Sequence, residues 1–188
     1  MSIPELDKIY NYKFVKSSTI DKVRDLFVIG CYTGLRFSDF SEIKPENIVD
    51  GNKIKIRTIK TNELVVIPLH PKVKAILKKY KNNLPEPISN QKTNVYLKDI
   101  CEESKIKDLV ESTITKGGVL TKSTTEKYNL ITTHTARRSF ATNAFLNGIP
   151  PISIMKITGH KTERAFLSYI RVTAEQNADK LLNHPFFK

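Results

Sequence analysis

The sequence predicts a mainly α-helical domain with a small antiparallel β-sheet, an α+β fold. Apolar residues recur at the three- and four-residue spacing of amphipathic helices towards both ends of the chain. Between them, residues 51–69 alternate apolar and polar side chains, which is the period of a half-buried strand. With 188 residues, 39% of them hydrophobic, the chain is long enough to bury the core of one domain.

Three helices are expected before the sheet. The first is SIPELDKIYNY, where Ser2 stands at the cap position and Pro4 lies in the first turn. The second is SSTIDKVRDLFVIGCYTGL, whose apolar residues share one broad face and which Gly34 ends. The third is the short segment SDFSEI, with Ser38 as its cap.

The stretch GNKIKIRTIKTNELVVIPL (51–69) predicts the sheet. Two alternating runs flank a polar turn, which is typical of antiparallel strands. The residues expected to face the core are Ile54, Ile56, Val65 and Ile67. A second hairpin is expected within residues 106–131, where Gly117 and Gly118 separate two β-prone runs.

The remaining segments predict helices. Pro71 opens PKVKAILKKY, and NVYLKDICEES follows it. In the last third, Thr133 is expected to cap HTARRSFATNAFLNG, which ends at Gly148, and the helices PPISIMKIT and ERAFLSYI come next. The last helix, TAEQNADKLLNH, carries an amphipathic stripe. The stripe consists of Ala174, Ala178, Leu181 and Leu182.

The charge balance indicates a polyanionic partner. Thirty-one Lys and Arg residues stand against 19 acidic ones, a net charge of +12, so nucleic acid is the first expectation. A solvated lysine-rich surface and an anionic membrane are the alternatives that charge alone leaves open. Because no run of 18 apolar residues and no N-terminal hydrophobic segment occur, we expect a soluble, cytoplasmic protein, associated with the nucleoid of a bacterium.

Metal and redox sites are not expected. Cys31 and Cys101 lie far apart and form no C-x-x-C motif. His70 and His184 have no neighbours at metal-ligand spacing. The sequence therefore predicts neither a metal ion nor a cofactor.

Breaking a DNA strand without a metal requires three kinds of group: one stabilises the negative charge of the transition state, one attacks, and one protonates the leaving oxygen. Arginine suits the first task because its planar guanidinium donates two hydrogen bonds to phosphate oxygens and stays charged. Histidine donates or accepts a proton near neutral pH. Tyrosine can attack once cations favour its phenolate, and lysine can supply a proton.

Two motifs carry the arginines. In CYTGLRFSDFSEI, Arg36 follows a helix-ending glycine and Asp39 comes three residues later. In HTARRSF, His134 and Arg137 lie three residues apart, on one face of a helix and near its N-terminus, where a phosphate is favoured.

Three further motifs complete the set. Lys60 lies in the turn predicted between the alternating runs, and Tyr169 comes nine residues after the Gly159-His160 pair. In this order, the motifs T-G-L-R, hairpin lysine, H-x-x-R, G-H and tyrosine resemble the tyrosine recombinases of the phage integrase family, over essentially the whole chain. The resemblance implies their DNA breaking-rejoining catalytic domain fold, and integrases of mobile elements are similar in particular.

The resemblance implies that Arg36 and Arg137 hold the non-bridging oxygens of the scissile phosphate. Asp39 stands where many members have glutamate, and it would support Arg36 by orienting it. Thr158 stands before Gly159, where leucine is usual, and this departure is expected to affect packing rather than chemistry.

The resemblance also implies the proton transfers of site-specific DNA recombination, either integration or excision. His134 would help to activate Tyr169, and His160 would donate to a phosphate oxygen. Lys60 would protonate the departing 5′-oxygen. Tyr169 would attack the phosphate and become linked to the 3′-phosphate of the DNA, with no metal or other cofactor.

Several cations are expected to contact double-stranded DNA at a specific attachment site. They are Arg138, Lys53, Lys55, Arg57 and Lys161. On a helix, Arg138 should point about 100° away from Arg137, towards DNA or solvent. The crowded cations of the hairpin also compete with Lys60 for the role of general acid.

Other tyrosines compete with Tyr169. Those at helical positions are expected to be packing residues: Tyr10, Tyr12, Tyr32, Tyr80 and Tyr96. Tyr128 is a candidate DNA contact, and only Tyr169 has a histidine at the family's distance, with Phe166 and Ile170 expected to anchor its helix. Two rival functions are DNA relaxation of the type IB topoisomerase kind and a catalytically silent DNA-binding module. An RNA-binding protein is a third rival, but the sequence lacks the aromatic sheet motifs that are usual in that class.

The resemblance further implies an assembly. Residues 1–188 are expected to form a single catalytic domain, without the N-terminal core-binding domain of full-length members, so that the chain is a fragment or truncated form. A homo-oligomer on DNA is expected, a tetramer in the synaptic complex, with residues 174–188 docking on a neighbouring protomer. The alternative is that Phe186 and Phe187 cover the core of their own domain.

Overall fold

The structure is a computed structural model that describes residues 1–14, 18–116, 119–182 and 184–187. Its helices are α1 (Ile3–Asn11), α2 (Ser18–Thr33), α3 (Phe37–Phe40), α4 (Pro71–Lys79), α5 (Asn90–Glu103), α6 (Thr133–Leu146), α7 (Pro151–Thr158), α8 (Glu163–Tyr169) and α9 (Ala174–Leu181). Its strands are β1 (Ile48–Val49), β2 (Lys53–Arg57), β3 (Leu64–Pro68), β4 (Leu109–Lys116) and β5 (Val119–Glu126). The predicted mainly helical fold with a small antiparallel sheet is confirmed.

The antiparallel sheet has the strand order β1-β2-β3. Ile54 pairs with Ile67 and Ile56 with Val65, and all four side chains are buried, as the alternation predicted. The opposite face of β2 presents exposed cations to solvent. Strands β4 and β5 form the second predicted hairpin, but its Gly117-Gly118 turn lies outside the described residues.

The main core surrounds α2. This helix packs against α1, α3, α4, α5 and α6. Residues 23–31 of α2 are buried almost without interruption, which is the pattern of a helix enclosed by others rather than one with a solvent face. The sheet closes the same core with Ile54 and Ile67.

A smaller core joins α6, α7 and α8. It is formed by Ala141, Ala144, Ile154, Phe166 and Ile170. Phe166 and Ile170 therefore anchor the helix of Tyr169, as expected, and the N–H of Arg171 adds a hydrogen bond of 3.1 Å to Thr142 Oγ1. In the described part of the chain, no helix has the length and apolar character needed to cross a membrane.

The predicted helix starts are partly wrong. Ser2 begins α1 as expected, with its N–H donating to Glu5 Oε2 at 2.7 Å. The cap of α3 is Arg36, so Ser38 lies inside that helix. Thr132, not Thr133, caps α6, because its N–H finds an acceptor in Thr135 Oγ1 at 3.0 Å.

The start of one other helix differs from the prediction. The helix α5 starts at Asn90, four residues before NVYLKDICEES, because Ser89 Oγ caps it by accepting from the N–H of Lys92. The helix α9 forms as predicted, but its apolar stripe does not enter the core. Ala174, Ala178, Leu181 and Leu182 are all exposed.

Gly34 ends α2 under two constraints. Its φ is +68°, in the left-handed region that favours glycine, and a Cβ there would lie 2.3 Å from Phe140 Cδ1. We expect Gly34→Ala to lower the free energy of unfolding by about 2–5 kcal/mol, of which roughly 1–2 kcal/mol comes from backbone strain and roughly 1–3 kcal/mol from overpacking. Urea unfolding of the wild type and the variant measures this change in free energy.

Gly148→Ala is the matched control. Gly148 also has a positive φ, +83°, but among the described residues no atom lies within 4 Å of a Cβ placed there. The free energy of unfolding of Gly148→Ala should then fall only by the backbone cost, about 1–2 kcal/mol. Equal losses for Gly34→Ala and Gly148→Ala would show that the contact with Phe140 is relieved without cost.

Candidate active site

Arg137 and Arg36 lie in one pocket. Arg137, on α6, is only 4% exposed, and its Nη1 donates a hydrogen bond of 2.8 Å to the carbonyl oxygen of Gly34. That carbonyl belongs to the turn that carries Arg36, which is half-buried at the start of α3. The bond therefore brings the two arginine motifs together, as the sequence predicted.

The two arginines form a pocket suited to an anion. Burial, and then the charge of Arg36, lowers the pKa of Arg137 to about 10, so the Arg137 guanidinium stays charged at neutral pH. Placing two like charges side by side in a partly buried pocket is unfavourable. A bound phosphate would relieve that repulsion and accept hydrogen bonds from both side chains.

Tyr169 lies against the same pocket. Its half-buried ring is 5.5 Å from the ring of His134, edge-on, and 4.7 Å from the ring of His160, centroid to centroid. The guanidinium carbon of Arg138 lies 5.2 Å from the centre of the tyrosine ring. Arg138 is thus half-buried on Tyr169, which differs from the outward position that its helix angle predicted.

The tyrosine hydroxyl is buried beside the Arg137 guanidinium. It has no hydrogen-bond partner within the described part of the chain, although the Arg137 side chain is adjacent. Burial raises the pKa of Tyr169 because it penalises the phenolate, and the charges of Arg137 and Arg138 act in the opposite direction. The phenol is therefore neutral at neutral pH and must lose its proton before it can attack.

Both histidines are suited to accept a proton. The residue His134 is exposed as a whole, but its ring faces the pocket. Partial burial of the ring lowers the pKa of His134, and the charges of Arg138, Arg137 and Arg36 lower it further. Burial likewise lowers the pKa of His160, with further contributions from Arg137 and Arg36. At neutral pH both imidazoles are therefore mainly uncharged.

Asp39 forms no hydrogen bond or ion pair with the Arg36 side chain among the described residues. Its carboxylate is fully buried, and Oδ1 accepts the backbone N–H of Ile59 at 2.8 Å, while Oδ2 has no hydrogen-bond partner among the residues that the structure describes. The support of Arg36 by Asp39 stays a prediction, since the hydrogen bond of this carboxylate goes to Ile59. The short carboxylate reaches the β2–β3 turn instead, next to Lys60.

Lys60 lies in the β2–β3 turn, as predicted. Its side chain is exposed and forms no hydrogen bond or ion pair within the described ranges. Two contacts connect this turn to the pocket: the Asp39–Ile59 hydrogen bond and an ion pair between Glu63 and Lys161. No sequence motif singled out Glu63.

The cations expected to contact DNA are positioned differently from one another. Lys53, Lys55 and Arg57 lie on the exposed face of β2, where Lys53 pairs with Asp50 and Arg57 donates to the carbonyl of Asn62. Lys161 pairs with Glu63. A cleft of about 630 Å³ lies between this hairpin and α7 and is lined by Arg57, Lys156, His160 and Lys161, among others.

Thr158 is a residue whose importance the sequence reasoning missed. It was expected to matter for packing alone, but its Oγ1 lies 2.8 Å from His160 Nδ1. The signal was present, because a hydroxyl-bearing residue stands where leucine is usual, two residues before the histidine. In the described part of the chain, no group of three or more His, Cys, Asp and Glu residues is arranged to hold a metal ion.

The sequence model of the phage integrase family matches residues 5–176. This chain belongs to the phage integrase family. No curated protein sequence matches it significantly.

Solved recombinases share the fold of this phage integrase family member. The crystal structure of XerA recombinase has a TM-score of 0.68 and 17% identity, covering 98% of this chain and 64% of that one. A XerH recombinase bound to palindromic difH substrate, in a post-cleavage complex, has a TM-score of 0.66 and 16% identity, covering 97% and 52%. A lambda integrase (75–356) dimer bound to a COC′ core site has a TM-score of 0.63 and 21% identity, covering 91% and 58%. This chain thus spans between 52% and 64% of their lengths.

Proposed function

We propose that this domain cleaves and rejoins DNA at a specific attachment site through a covalent 3′-phosphotyrosyl intermediate, as a tyrosine-type site-specific recombinase. The observation that carries the proposal is the buried hydroxyl of Tyr169, adjacent to the Arg137 guanidinium in the pocket shared with Arg36. A nucleophile beside two cations, with imidazoles against its ring, suits attack on a phosphodiester.

The arginines stabilise the charge of the transition state. The bond from Arg137 Nη1 to Gly34 holds the guanidinium in place and leaves its other N–H groups for a non-bridging phosphate oxygen. Arg36, which has no acceptor of its own in the described part of the chain, takes the other oxygen. Because both charges are already in position, little reorganisation accompanies the reaction.

The proton transfers balance over one step. Tyr169 Oη forms a bond to phosphorus as the bond from phosphorus to the 5′-oxygen breaks, and the phenol proton passes to the neutral imidazole of His134. Lys60 supplies a proton to the departing 5′-oxygen from the β2–β3 turn. The reverse reaction, with the 5′-hydroxyl of a partner strand, rejoins the DNA without an external energy source.

Double-stranded DNA is the proposed partner. The exposed cations of β2 and the cationic cleft beside His160 supply contacts to phosphates that do not depend on sequence. The XerH and lambda integrase structures were determined with DNA bound, which supports the same partner for this chain.

The test uses a pool of nicked suicide duplexes with a randomised central sequence. Cleavage of such a duplex releases a short strand, so the covalent adduct accumulates. Captured DNA is sequenced, and the attached peptide is identified by mass spectrometry. We expect one recurring sequence motif and a phosphotyrosine at position 169.

The other outcomes identify the rival functions. Adducts spread evenly over the pool would indicate a relaxation enzyme of the topoisomerase IB kind. Enrichment of bound duplexes without any adduct would indicate a DNA-binding module that is catalytically silent. If the protein neither binds the duplexes nor forms an adduct, the proposal is contradicted.

We also propose that the protein assembles on DNA as a homo-oligomer, a tetramer on paired sites, through residues 174–188. The apolar stripe of α9 is exposed, and Phe186 is 82% exposed. The helix α9 is connected to α6 by few contacts, among them the bond from Lys180 Nζ to the carbonyl of Phe145 at 2.9 Å. These features favour docking on a neighbour over covering its own core.

Deleting residues 174–188 should separate cleavage from assembly. Because the apolar residues of α9 are exposed, the free energy of unfolding and the adduct yield on a nicked site should be nearly unchanged. Paired-site complexes on native gels should be lost. A parallel loss of adduct and of paired complexes would argue against this role.

A further inference from the structure

Thr158 connects the end of α7 to His160. Its side chain is only 1% exposed, and its Oγ1 lies 2.8 Å from the carbonyl oxygen of Ile154 and 2.8 Å from His160 Nδ1. Both neighbours of the hydroxyl are therefore within hydrogen-bond distance at once.

The hydroxyl has one proton to give. The Ile154 carbonyl can only accept, so the proton of Thr158 goes to that oxygen, one turn back along the helix. The lone pairs of Oγ1 then face Nδ1 of His160, and a hydrogen bond forms only if that nitrogen carries a proton. The neutral imidazole of His160 consequently carries its proton on Nδ1, and its Nε2 is unprotonated.

The surroundings of His160 favour its neutral form. It faces Arg36 from the α2–α3 turn, His134 and Arg137 from α6, and Tyr169 from α8. The next residue in its own turn, Lys161, is paired with Glu63 of the β2–β3 turn. Burial, and then the two arginines, lowers the pKa of His160.

We propose that Thr158 is a positioning residue for strand cleavage: it holds His160 in the Nδ1–H tautomer, so that Nε2 donates to a phosphate oxygen only after the imidazole is protonated. This inference rests on the proposed function. The charge of the bound phosphate favours that protonation, because it offsets the charges of both arginines. Cleavage is thereby coupled to pH through a residue that does not touch the DNA.

The tautomer is tested without DNA. Nitrogen-15 NMR of labelled histidine distinguishes a protonated from a bare ring nitrogen. In the wild type, neutral His160 should be protonated on Nδ1. Thr158→Ser should keep that tautomer, whereas Thr158→Val, which has a similar shape but no hydroxyl, should move the proton to Nε2. A wild-type protein protonated on Nε2 would overturn the proposal.

Single-turnover cleavage of the recovered suicide substrate tests the consequence. Between about pH 6 and about pH 9, the wild-type rate should fall about tenfold per pH unit once His160 loses its proton. Thr158→Ser should show the same fall, and Thr158→Val should stay flat, because its neutral His160 can donate from Nε2. If both variants lower the rate equally at every pH, Thr158 is only structural and the proposal fails.

The two experiments separate this proposal from the proposed function. An Nδ1–H tautomer that depends on the Thr158 hydroxyl, in a protein that forms no covalent adduct, would leave the hydrogen bond established but remove the role in cleavage. An adduct at Tyr169 with the opposite tautomer would confirm the recombinase and overturn the inference about Thr158. Should Thr158→Val not fold, Thr158→Ala, which also lacks the hydroxyl, replaces it in both measurements.

Discussion

Replacing Tyr169 with phenylalanine is expected to abolish the covalent protein–DNA adduct, with a loss of at least about 10³-fold in cleavage. The substitution removes the oxygen that attacks phosphorus and nothing else. Since the hydroxyl has no hydrogen-bond partner in the described structure, the ring should keep its place between the two imidazoles and over Arg138. A denaturing gel with the recovered suicide substrate measures the adduct.

Two measurements make this result specific. The free energy of unfolding of Tyr169→Phe should be close to that of the wild type, because the hydroxyl has no well-aligned hydrogen bond to lose. Tyr96→Phe, a change of the same kind at a partly buried tyrosine of α5, should retain the adduct. An adduct that persists in Tyr169→Phe would show that another residue is the nucleophile.

Replacing Arg36 with glutamine is expected to lower cleavage at saturating DNA by about 10²-fold or more, the effect of removing one preorganised donor to a developing oxyanion. The same change should not lower the free energy of unfolding. Arg36 makes no hydrogen bond or ion pair in the described part of the chain, and its charge opposes that of Arg137. Losing activity without losing stability is the signature of a charge held for a ligand.

Arg137→Lys should lower cleavage by a similar factor but also reduce stability. Lysine keeps the charge, yet its single ammonium cannot replace a guanidinium that binds Gly34 and the phosphate together. Arg164→Gln removes an exposed cation from α8 and serves as the control for net charge. If Arg164→Gln and Arg36→Gln reduce single-turnover rates equally, the effect belongs to overall charge and not to the pocket.

The local patterns predicted most of the elements, because they depend on neighbours in sequence. Alternation placed Ile54 and Ile67 in the core, and the glycine at position 34 marked the end of α2. The predicted helix caps were less accurate where two neighbouring residues are both suitable caps. Thr132 and Thr133 have the same intrinsic preference, and only the hydrogen bond with Thr135 distinguishes them.

The roles of three polar residues could not be predicted from local pattern. Asp39 was assigned to Arg36 because the two lie on the same short segment, but its partner is the N–H of Ile59. Glu63 meets Lys161 across 98 positions of sequence. Thr158 was noticed as a departure, yet its contact with His160 depends on how the chain turns after α7.

The sequence by itself determined the helices, the sheet and the set of chemical groups: arginines, histidines, a lysine and a tyrosine in a family-like order. The tertiary structure alone decided which of these groups lie together, that Arg138 lies on the ring of Tyr169, and that the Thr158 hydroxyl lies beside His160 Nδ1. The physical reason is that helix and strand periods arise between residues close in sequence. Charge repulsion, desolvation and hydrogen-bond pairing depend instead on distances between segments that only the folded chain brings together.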